Sequence, residues 1–390
     1  MPEVQLHARY DLFADPRPLS TFPASMRFVV LSKTDWSEPP RLRHHVAMLL
    51  ASAGHDVLFV QRATYPWQRR TMDDSGTKGV ELARLSQLIH HRLRLLPCLH
   101  WLNAHFEAGQ LRSFARSRSI EATDVIVNFN YDYFFVRTAF PGNRIITIVN
   151  DAHWVRRDGQ ERKHQLWALH RTLLASDACL TVSEPLRKRL SSYRPTEIFR
   201  PWATSEYRRS HRDEAPTELL YWGYINERLD FDFIEGLAVD LAVSRPDLRL
   251  VFTGPIRCRS RVLRPLRARS NVIFRPATPF HELDFRNTRA AIIPFKRKGD
   301  ASMDARETPS KFFMLVSTGL PVLITGMPNF YRAPFVFRLD AAGTTPVDVI
   351  DQAWRMMPEL EDSMRGCVAE NSAHRRLSQL LSVTDAVTRP

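Results

Sequence analysis

Two groups of polar residues in this 390-residue sequence have the types and positions needed to act on a charged substrate. The first is Pro309-Ser310-Lys311, which precedes an apolar run at near-helical spacing that ends at Gly319. The N-terminus of a helix offers free N–H groups and the positive end of its dipole, so we predict that Lys311 and this turn hold an anionic ligand. The second group is Asp151 with His153, which follow an apolar strand pattern.

Asp151 is the candidate for a catalytic base. A carboxylate at the mouth of a crevice, close to arginines and a histidine, can take a proton from a hydroxyl group that attacks a substrate. Aspartate is also a preferred residue at helix N-caps, so a capping role is the alternative. His153 is a second catalytic candidate, although a histidine near a strand end is often only a hydrogen-bonding group or a packed ring.

The loop after the first predicted strand is polar, basic and aromatic. The strand covers 26–32, the loop carries Asp35, Arg41 and Arg43, and a helix over 43–53 follows. Loops at the carboxyl ends of strands in an open α/β sheet face the ligand crevice, so we predict that these three side chains contact a substrate. The loop lacks the glycine-rich phosphate turn of dinucleotide binders, which argues against a Rossmann cofactor in this half.

The second half of the sequence repeats the alternation of strands and helices. Gly223 ends the strand over 218–222 and permits close approach of the backbone to a ligand. Asn226 and Arg228 in the following loop could contact a diphosphate or a sugar. The basic stretch 296–298 either neutralises phosphate or is simply solvated.

The length suits two domains, and alternating strands and helices predict an α/β fold. We divide the chain into an extension, an N-terminal domain, a linker, a C-terminal domain and closing helices. The extension covers 1–25 and the N-terminal domain covers 26–200. The linker covers 201–217, the C-terminal domain 218–350 and the closing helices 351–390.

The net charge of +13 favours a polyanionic partner, which is a nucleic acid, an anionic membrane surface or a phosphorylated substrate. The four cysteines are widely scattered, which excludes a metal knuckle and indicates a reducing compartment. No signal peptide and no run of about 20 apolar residues is found, so we expect a cytoplasmic protein whose membrane contact, if any, is peripheral.

The stretch 82–118 is rich in Leu, His, Phe and Arg. We predict two helices broken at Pro97. They are either surface helices with an apolar side in the core, or a peripheral patch that contacts anionic lipid headgroups on the inner face of the membrane.

Three segments resemble the bacterial GT-B glycosyltransferases. The pattern P-x-K-(x)7-G-x-P-V over 309–322 resembles their nucleotide-sugar-binding segment, and G-Y-I-N-E-R-L-D-F-D over 223–232 resembles the first loop of their donor domain. The pattern V-L-S-x-x-D-(x)3-P-x-R over 30–41 resembles the N-terminal opening of a subset of them. The resemblance extends to the xanthan-type glucuronosyltransferases and the group 1 exopolysaccharide enzymes.

The resemblance implies two Rossmann-like domains that face a central cleft, with a C-terminal helix that crosses back to the N-domain. It implies that Lys311 meets the diphosphate of a nucleoside diphosphate sugar, with UDP the expected nucleotide, and that Asp151 is the base. The strand over 271–276, with Arg275 near its end, lies where relatives hold the nucleotide base. The implied acceptor is a lipid-linked glycan or a polysaccharide in bacterial surface or exopolysaccharide synthesis.

The sequence departs from the retaining members of the related family at two positions. Arg306 and Met314 occupy the places of two glutamates, which favours inversion at the anomeric carbon. No DxD-type metal motif lies in a suitable loop, so we expect no metal and no cofactor.

Two alternatives to a transferase remain. One is a non-catalytic basic binding protein, either a degenerate GT-B scaffold or a nucleic-acid binder, although no compact nucleic-acid motif is found and specific nucleic-acid binding is not expected. The other is a GT-B epimerase.

Overall fold

The structure is a computed structural model that describes residues 25–38, 40–68, 75–89, 96–156, 158–296 and 307–386. The chain divides into two compact units. Unit 1 contains Met1–Arg200 and Ala373–Pro390, and unit 2 contains Pro201–Ser372. The predicted extension up to residue 24, two positions of the predicted basic loop (297 and 298) and position 306 lie outside the described residues.

Unit 1 is built on a parallel sheet of seven described strands in the order β3-β2-β1-β4-β5-β6-β7. The strands are β1 Arg27–Leu31, β2 Asp56–Thr64, β3 Val80–Ser86, β4 Val125–Asn128, β5 Arg144–Val149, β6 Ala178–Thr181 and β7 Thr196–Ile198. The helices are α1 Leu42–Ser52, α2 Pro97–Ser117, α3 Val136–Ala139, α4 Lys163–Leu174, α5 Glu184–Leu190 and, from the end of the chain, α10 Ala373–Ala386. β1, β4 and β5 are almost entirely buried, which is why they read as continuous apolar runs.

Unit 2 contains a second parallel sheet, whose described strands have the order β10-β9-β8-β11-β12-β13. The strands are β8 Glu218–Trp222, β9 Arg249–Thr253, β10 Val272–Arg275, β11 Thr288–Pro294, β12 Val322–Thr325 and β13 Val336–Arg338. The helices are α6 Phe231–Ser244, α7 Ser260–Arg267, α8 Ser310–Ser317 and α9 Pro346–Glu370, with a short 3-10 turn at Phe280–Glu282. The alternating pattern of strands and helices therefore gives two α/β units, as the sequence predicts.

α8 places the predicted anion-binding turn at the carboxyl edge of this second sheet. Its apolar residues are buried, and the helix ends where Gly319 adopts a φ of 75° and donates its N–H to the Val316 carbonyl at 2.9 Å. A Cβ at position 319 would lie 2.9 Å from the Tyr207 hydroxyl, so both the left-handed backbone and the packing require glycine. β12 follows directly and pairs with β11.

The prediction of two helices broken at Pro97 within 82–118 is wrong. Residues 80–86 form strand β3, and Pro97 is the first residue of α2, so it does not separate two helices. Proline suits that position because its missing N–H has no partner in the first turn of a helix. Near the end of the chain, α9 continues through Pro358, although proline in a helix interior removes a backbone hydrogen bond. Leu360, Met364 and their neighbours extend the same buried face and keep the helix continuous.

The last helix returns the chain to unit 1. In α10, the Gln379 side chain donates to the Ile198 carbonyl at 2.8 Å, and the Arg376 Nε donates to the Arg200 carbonyl at 3.0 Å. The preceding helix α9 belongs to unit 2. A C-terminal helix that rejoins the first unit is what the resemblance implies.

Candidate functional site

The loops after β8 and β9 approach each other closely in unit 2. The Gly223 N–H donates to the Thr253 carbonyl at 3.0 Å. At Gly254, with φ 148°, a Cβ would lie 2.1 Å from the Gly223 carbonyl oxygen. No side chain fits between these backbones, so glycine at 254 is what allows the two loops to come this close.

The same edge of the sheet is tied across β8, β9 and β11. The Ile225 N–H donates to the Pro255 carbonyl at 3.0 Å, and the Lys296 N–H donates to the Arg228 carbonyl at 2.9 Å. These bonds fix the loop over 223–229 between its neighbours. The side chains of that loop are therefore carried on a rigid part of the fold.

Lys311 lies against aromatic rings at the start of α8. Its Nζ is 3.7 Å from the centroid of the Tyr221 ring and 5.2 Å from that of Phe295, which are cation–π distances. Pro309 is the N-cap of α8, where no side chain of the described residues caps the helix and no acidic residue occupies the first turn. Burial lowers the pKa of Lys311 well below its usual value. An anion here would meet both the ammonium group and the uncapped helix start.

Gly223, Arg228 and Lys311 come together around Tyr221. A Cβ at Gly223 would lie 3.4 Å from the Lys311 Nζ and 3.7 Å from the Tyr221 hydroxyl. That hydroxyl donates to the Tyr224 carbonyl at 2.7 Å, and burial raises the pKa of Tyr221 while the charge of Arg228 opposes the rise. Lys311 makes no ion pair with any residue in the described ranges. We call the residues Gly223, Arg228 and Lys311 the Lys311 site.

Asn226 shapes this loop from within. Its Oδ1 accepts the Arg228 N–H at 3.0 Å, and its carbonyl accepts the Leu229 N–H at 3.0 Å. Such a turn, closed by an asparagine side chain, sets the path of the backbone. The side-chain oxygen predicted to contact a donor is therefore used to position Arg228.

Arg275 is not brought to the Lys311 site. Its guanidinium makes two hydrogen bonds to Glu218, the first residue of β8, at 2.6 and 2.9 Å. Donor binding by Arg275 would compete with this bidentate ion pair. Its assignment to the donor stays a prediction.

Asp151 follows β5 at the carboxyl edge of the unit 1 sheet and is partly buried. Its Oδ1 accepts the Ala152 N–H at 3.0 Å. The next helix, α4, has Arg162 as its N-cap, so Asp151 does not cap a helix. The capping alternative is therefore excluded, and catalysis by Asp151 stays a prediction.

Arg43 is brought within electrostatic range of Asp151. Burial and the nearby Arg41 lower the pKa of Arg43 to about 10, while Glu38 and Asp151 act in the opposite direction. The Arg43 guanidinium lies over the Phe129 ring, 5.8 Å from its centroid. Residues from the start of α1 and from the segments after β4 and β5 thus meet at one edge of this sheet.

Asp35 and Arg41 lie in an ion-pair network at the start of α1. Asp35 pairs with Arg84 at 2.6 Å and with Arg62 at 3.7 Å, and Arg41 pairs with Glu38 at 3.0 Å. Glu38 also pairs with Arg62. Both predicted acceptor residues are thus engaged in ion pairs, and Arg41 lies within electrostatic range of Arg43.

His153 stacks on Tyr131, with 4.7 Å between the ring centroids, and the Lys33 ammonium lies 5.2 Å from the same tyrosine ring. His153 is thus a packed ring at this edge, two residues beyond Asp151. Its catalytic role is an untested prediction.

Sequence reasoning missed a buried group beside this edge. Asp132 forms an ion pair with Lys33, and it lies 3.8 Å from the Nε2 of His100. The Nδ1 of His100 is 2.7 Å from the Nε2 of His164, and burial lowers the pKa of His164. Lys33 and Asp132 follow strand ends, so the carboxyl-edge rule could have found them. The histidines come from α2 and α4, and no spacing links them.

Two further properties concern only the described parts of the chain. No helix there is long and apolar enough to cross a membrane. No group of three or more His, Cys, Asp or Glu side chains is arranged to hold a metal ion.

The two parallel sheets, with helices around them, define the GT-B fold of glycosyltransferases, and comparison with solved structures shows that fold over nearly the whole chain. The lipopolysaccharide outer core galactosyltransferase WaaB, in its apo form, matches 91% of this chain and 99% of its own at 12% identity and a TM-score of 0.57. Sucrose-phosphate synthase from Thermosynechococcus elongatus matches 93% of this chain and 100% of its own at 10% identity and a TM-score of 0.61.

A third structure was solved with a sugar nucleotide. UGT2 of Phytolacca americana, complexed with UDP-2fluoro-glucose and pterostilbene, matches 93% of this chain and 100% of its own at 12% identity and a TM-score of 0.52. No protein-family model matches the sequence, and the search of curated proteins gave no match. The identities are low, so these likenesses establish the fold, and function is argued from the sites.

Proposed function

We propose that the protein is a glycosyltransferase that moves a sugar from a nucleoside diphosphate sugar to a hydroxyl group of a lipid-linked or polysaccharide acceptor in bacterial surface or exopolysaccharide synthesis. The observation that carries the proposal is Lys311. It is a cation held on aromatic rings at an uncapped helix start, without an ion pair in the described residues. In a GT-B fold, a leaving diphosphate is the anion that fits this position.

The Lys311 site would bind the diphosphate of the donor. Lys311 and Arg228 supply two positive charges, and the start of α8 supplies N–H groups. Such fixed groups stabilise the negative charge that develops on the phosphate oxygen as its bond to the sugar breaks. Cationic side chains would do this work without a metal ion. UDP is the proposed nucleotide because UGT2 of Phytolacca americana, which has a similar fold, was solved in complex with UDP-2fluoro-glucose.

Asp151 would act as the base. Its carboxylate takes the proton of the acceptor hydroxyl, the hydroxyl oxygen bonds to the anomeric carbon, and the bond from that carbon to the diphosphate oxygen breaks. A single displacement of this kind inverts the anomeric configuration. Two features support this role, namely the position of Asp151 after β5 and its electrostatic contact with Arg43.

The exposed face of α2 supports a peripheral contact with an anionic membrane, where a lipid-linked acceptor would be found. Trp101 and Leu102 are 57% and 51% exposed near the start of the helix. Arg112 and Arg116 are exposed about three and four helical turns after Trp101, which places them on its face. An aromatic and basic surface of this kind suits the interfacial region of a bilayer.

A donor screen tests the proposed function. The purified full-length protein is incubated with a panel of nucleotide sugars, and release of the nucleoside diphosphate is measured. We expect slow hydrolysis of one UDP sugar above the level given by the Lys311→Met variant. Equal release from the wild type and the variant for every donor would refute the proposal, and a different nucleotide would correct the donor.

A further inference from the structure

Arg43 is a buried cation whose guanidinium has no hydrogen-bonded partner in the described part of the chain. The side chain is 8% exposed, and its Nε is buried without a hydrogen bond. Across the described ranges, no carboxylate forms an ion pair with it, and its guanidinium makes no hydrogen bond. Contact with the Phe129 ring offsets only part of the cost of burying this charge. An anion beside Arg43 would lower that cost.

The carboxylates nearest to Arg43 in the chain are already engaged. Glu38 pairs with both Arg41 and Arg62, and Asp35 pairs with Arg84. The start of α1 has no acidic residue in its first turn. The Arg41 N–H donates to the His44 Nδ1 at 3.0 Å, and no carboxylate of the described residues caps this helix start. Glu38 and Asp151 lie within electrostatic range of Arg43, but among the described residues neither forms an ion pair with it, so the guanidinium can accept an anionic ligand.

Asn130 is a second buried polar side chain whose amide has no hydrogen-bond partner among the described residues. It is 1% exposed, and neither its Oδ1 nor its Nδ2 makes a hydrogen bond. Its backbone is fixed, because its N–H donates to the Asn128 Oδ1 at 2.9 Å and its carbonyl accepts from the Asn128 Nδ2 at 3.0 Å. It directly follows Phe129, on which Arg43 packs. An amide offers an N–H to an anionic oxygen and a carbonyl to a hydroxyl group.

We propose that Arg43 and Asn130 form a subsite for an anionic group of the acceptor, held beside the hydroxyl that Asp151 deprotonates. The acceptor is thus a glycan that carries a phosphate or a carboxylate near the reacting hydroxyl. This inference rests on the proposed function, because the bound anion is part of an acceptor only if the protein is a transferase. Anion binding at Arg43 and Asn130 does not depend on that function. A lipid-linked phosphate and an acidic sugar supply the same chemistry, and the experiment separates them.

The test is isothermal titration calorimetry of the full-length protein with inorganic phosphate, glucuronate and glucose, in the presence of saturating UDP. We expect the anions to bind and glucose not to bind. Arg43→Gln should weaken anion binding by about tenfold or more, because charge-assisted hydrogen bonds are lost. The matched control is Arg189→Gln, since Arg189 is an exposed arginine of the same unit that pairs with Glu161. It should bind the anions like the wild type.

The three probes and a second variant decide between outcomes. A preference for phosphate identifies a lipid-linked phosphate, and a preference for glucuronate identifies an acidic sugar. Arg43→Lys keeps the charge and should retain part of the anion affinity. This result, together with circular dichroism of each variant, shows that weaker binding is not caused by a folding defect. The subsite is overturned if Arg43→Gln binds the anions as tightly as the wild type does. It is also overturned if the wild type binds glucose as tightly as the anions. UDP that fails to bind the wild type corrects the proposed donor and leaves the subsite standing, because the anion titration still measures Arg43. A wild type that releases a nucleoside diphosphate from no donor refutes the proposed function alone.

Discussion

At the scale of single residues, Lys311 is held where its charge is unfavourable to the fold. Its ammonium rests on the Tyr221 and Phe295 rings, and burial lowers its pKa. Binding sites commonly keep such groups, because a charge that is to pair with a ligand is left without a counter-charge in the free protein. Lys311 is therefore expected to lower stability and to raise donor affinity.

We predict that Lys311→Met raises the thermal unfolding midpoint at pH 7 and weakens UDP binding by about tenfold or more. The folded-state pKa is below the usual 10.5, so the protonated lysine opposes folding at pH values below that figure. The stability difference should shrink as the pH rises towards 10.5, where the lysine loses its proton in the unfolded chain too. Thermal scans at several pH values and UDP calorimetry measure both effects.

The control for this prediction is Lys188→Met, which removes an exposed lysine of α5. It should change neither the unfolding midpoint nor UDP affinity appreciably, because surface charges contribute little. A Lys311→Met variant that binds UDP like the wild type would contradict the assigned role.

We predict that Asp151→Asn lowers the transfer rate by about 10²- to 10⁴-fold, as expected for loss of a general base. Asparagine preserves the shape of the side chain, and Lys311 lies in the other unit, so UDP affinity should not change. Steady-state kinetics and UDP calorimetry separate the two readouts. Product NMR adds a second check, since retention of the donor's anomeric configuration would rule out the single displacement.

At the scale of elements, the carboxyl edge of the second sheet depends on close contact between the loops after β8 and β9. We predict that Gly254→Ala destabilises the protein by about 1 to 3 kcal/mol, because the new Cβ meets the Gly223 carbonyl in a left-handed backbone. UDP affinity should fall as well, since Gly223 adjoins Lys311. Urea unfolding followed by circular dichroism measures the first effect.

Gly236→Ala is the matched control within the same unit. Gly236 lies inside α6, and a Cβ there meets nothing within 4 Å. Alanine should stabilise the helix by about 0.5 to 1 kcal/mol. If the Gly254→Ala variant were as stable as the wild type, the two loops would be able to separate freely, which contradicts the prediction.

The elements also show what a sequence can reveal. Continuous apolar strands such as β1 and β5, and the helix stop at Gly319, are local patterns, so they were predictable. β3 was missed because it is partly exposed at the edge of the sheet, and Pro97 was misread because proline both breaks and begins helices. Local patterns cannot distinguish those cases.

The sites were predictable to the extent that they follow strand ends. The carboxyl-edge rule placed Asp151 and the loop over 223–229 correctly on their sheets. It could not show that Asn226 supports its own loop, or that Arg275 pairs with Glu218. Partners distant in the chain decide those contacts, and one sequence does not record them.

At the scale of the whole molecule, the net charge of +13 and the exposed face of α2 predict salt-dependent binding to anionic membranes. In sedimentation assays, the wild type should be recovered with vesicles of anionic lipid at low salt and released at high salt. Vesicles of neutral lipid should recover much less protein. The charge alone would give this result, so a variant must test the aromatic contact.

Trp101→Glu provides that variant, because it places a negative charge at the exposed start of α2 and leaves the core untouched. We expect weaker sedimentation at every salt concentration, with UDP affinity unchanged. The matched control is Val243→Glu, which introduces the same charge at a side chain of unit 2 that is 80% exposed. If Val243→Glu reduced sedimentation as much as Trp101→Glu, the general positive charge, and not α2, would hold the protein on the membrane.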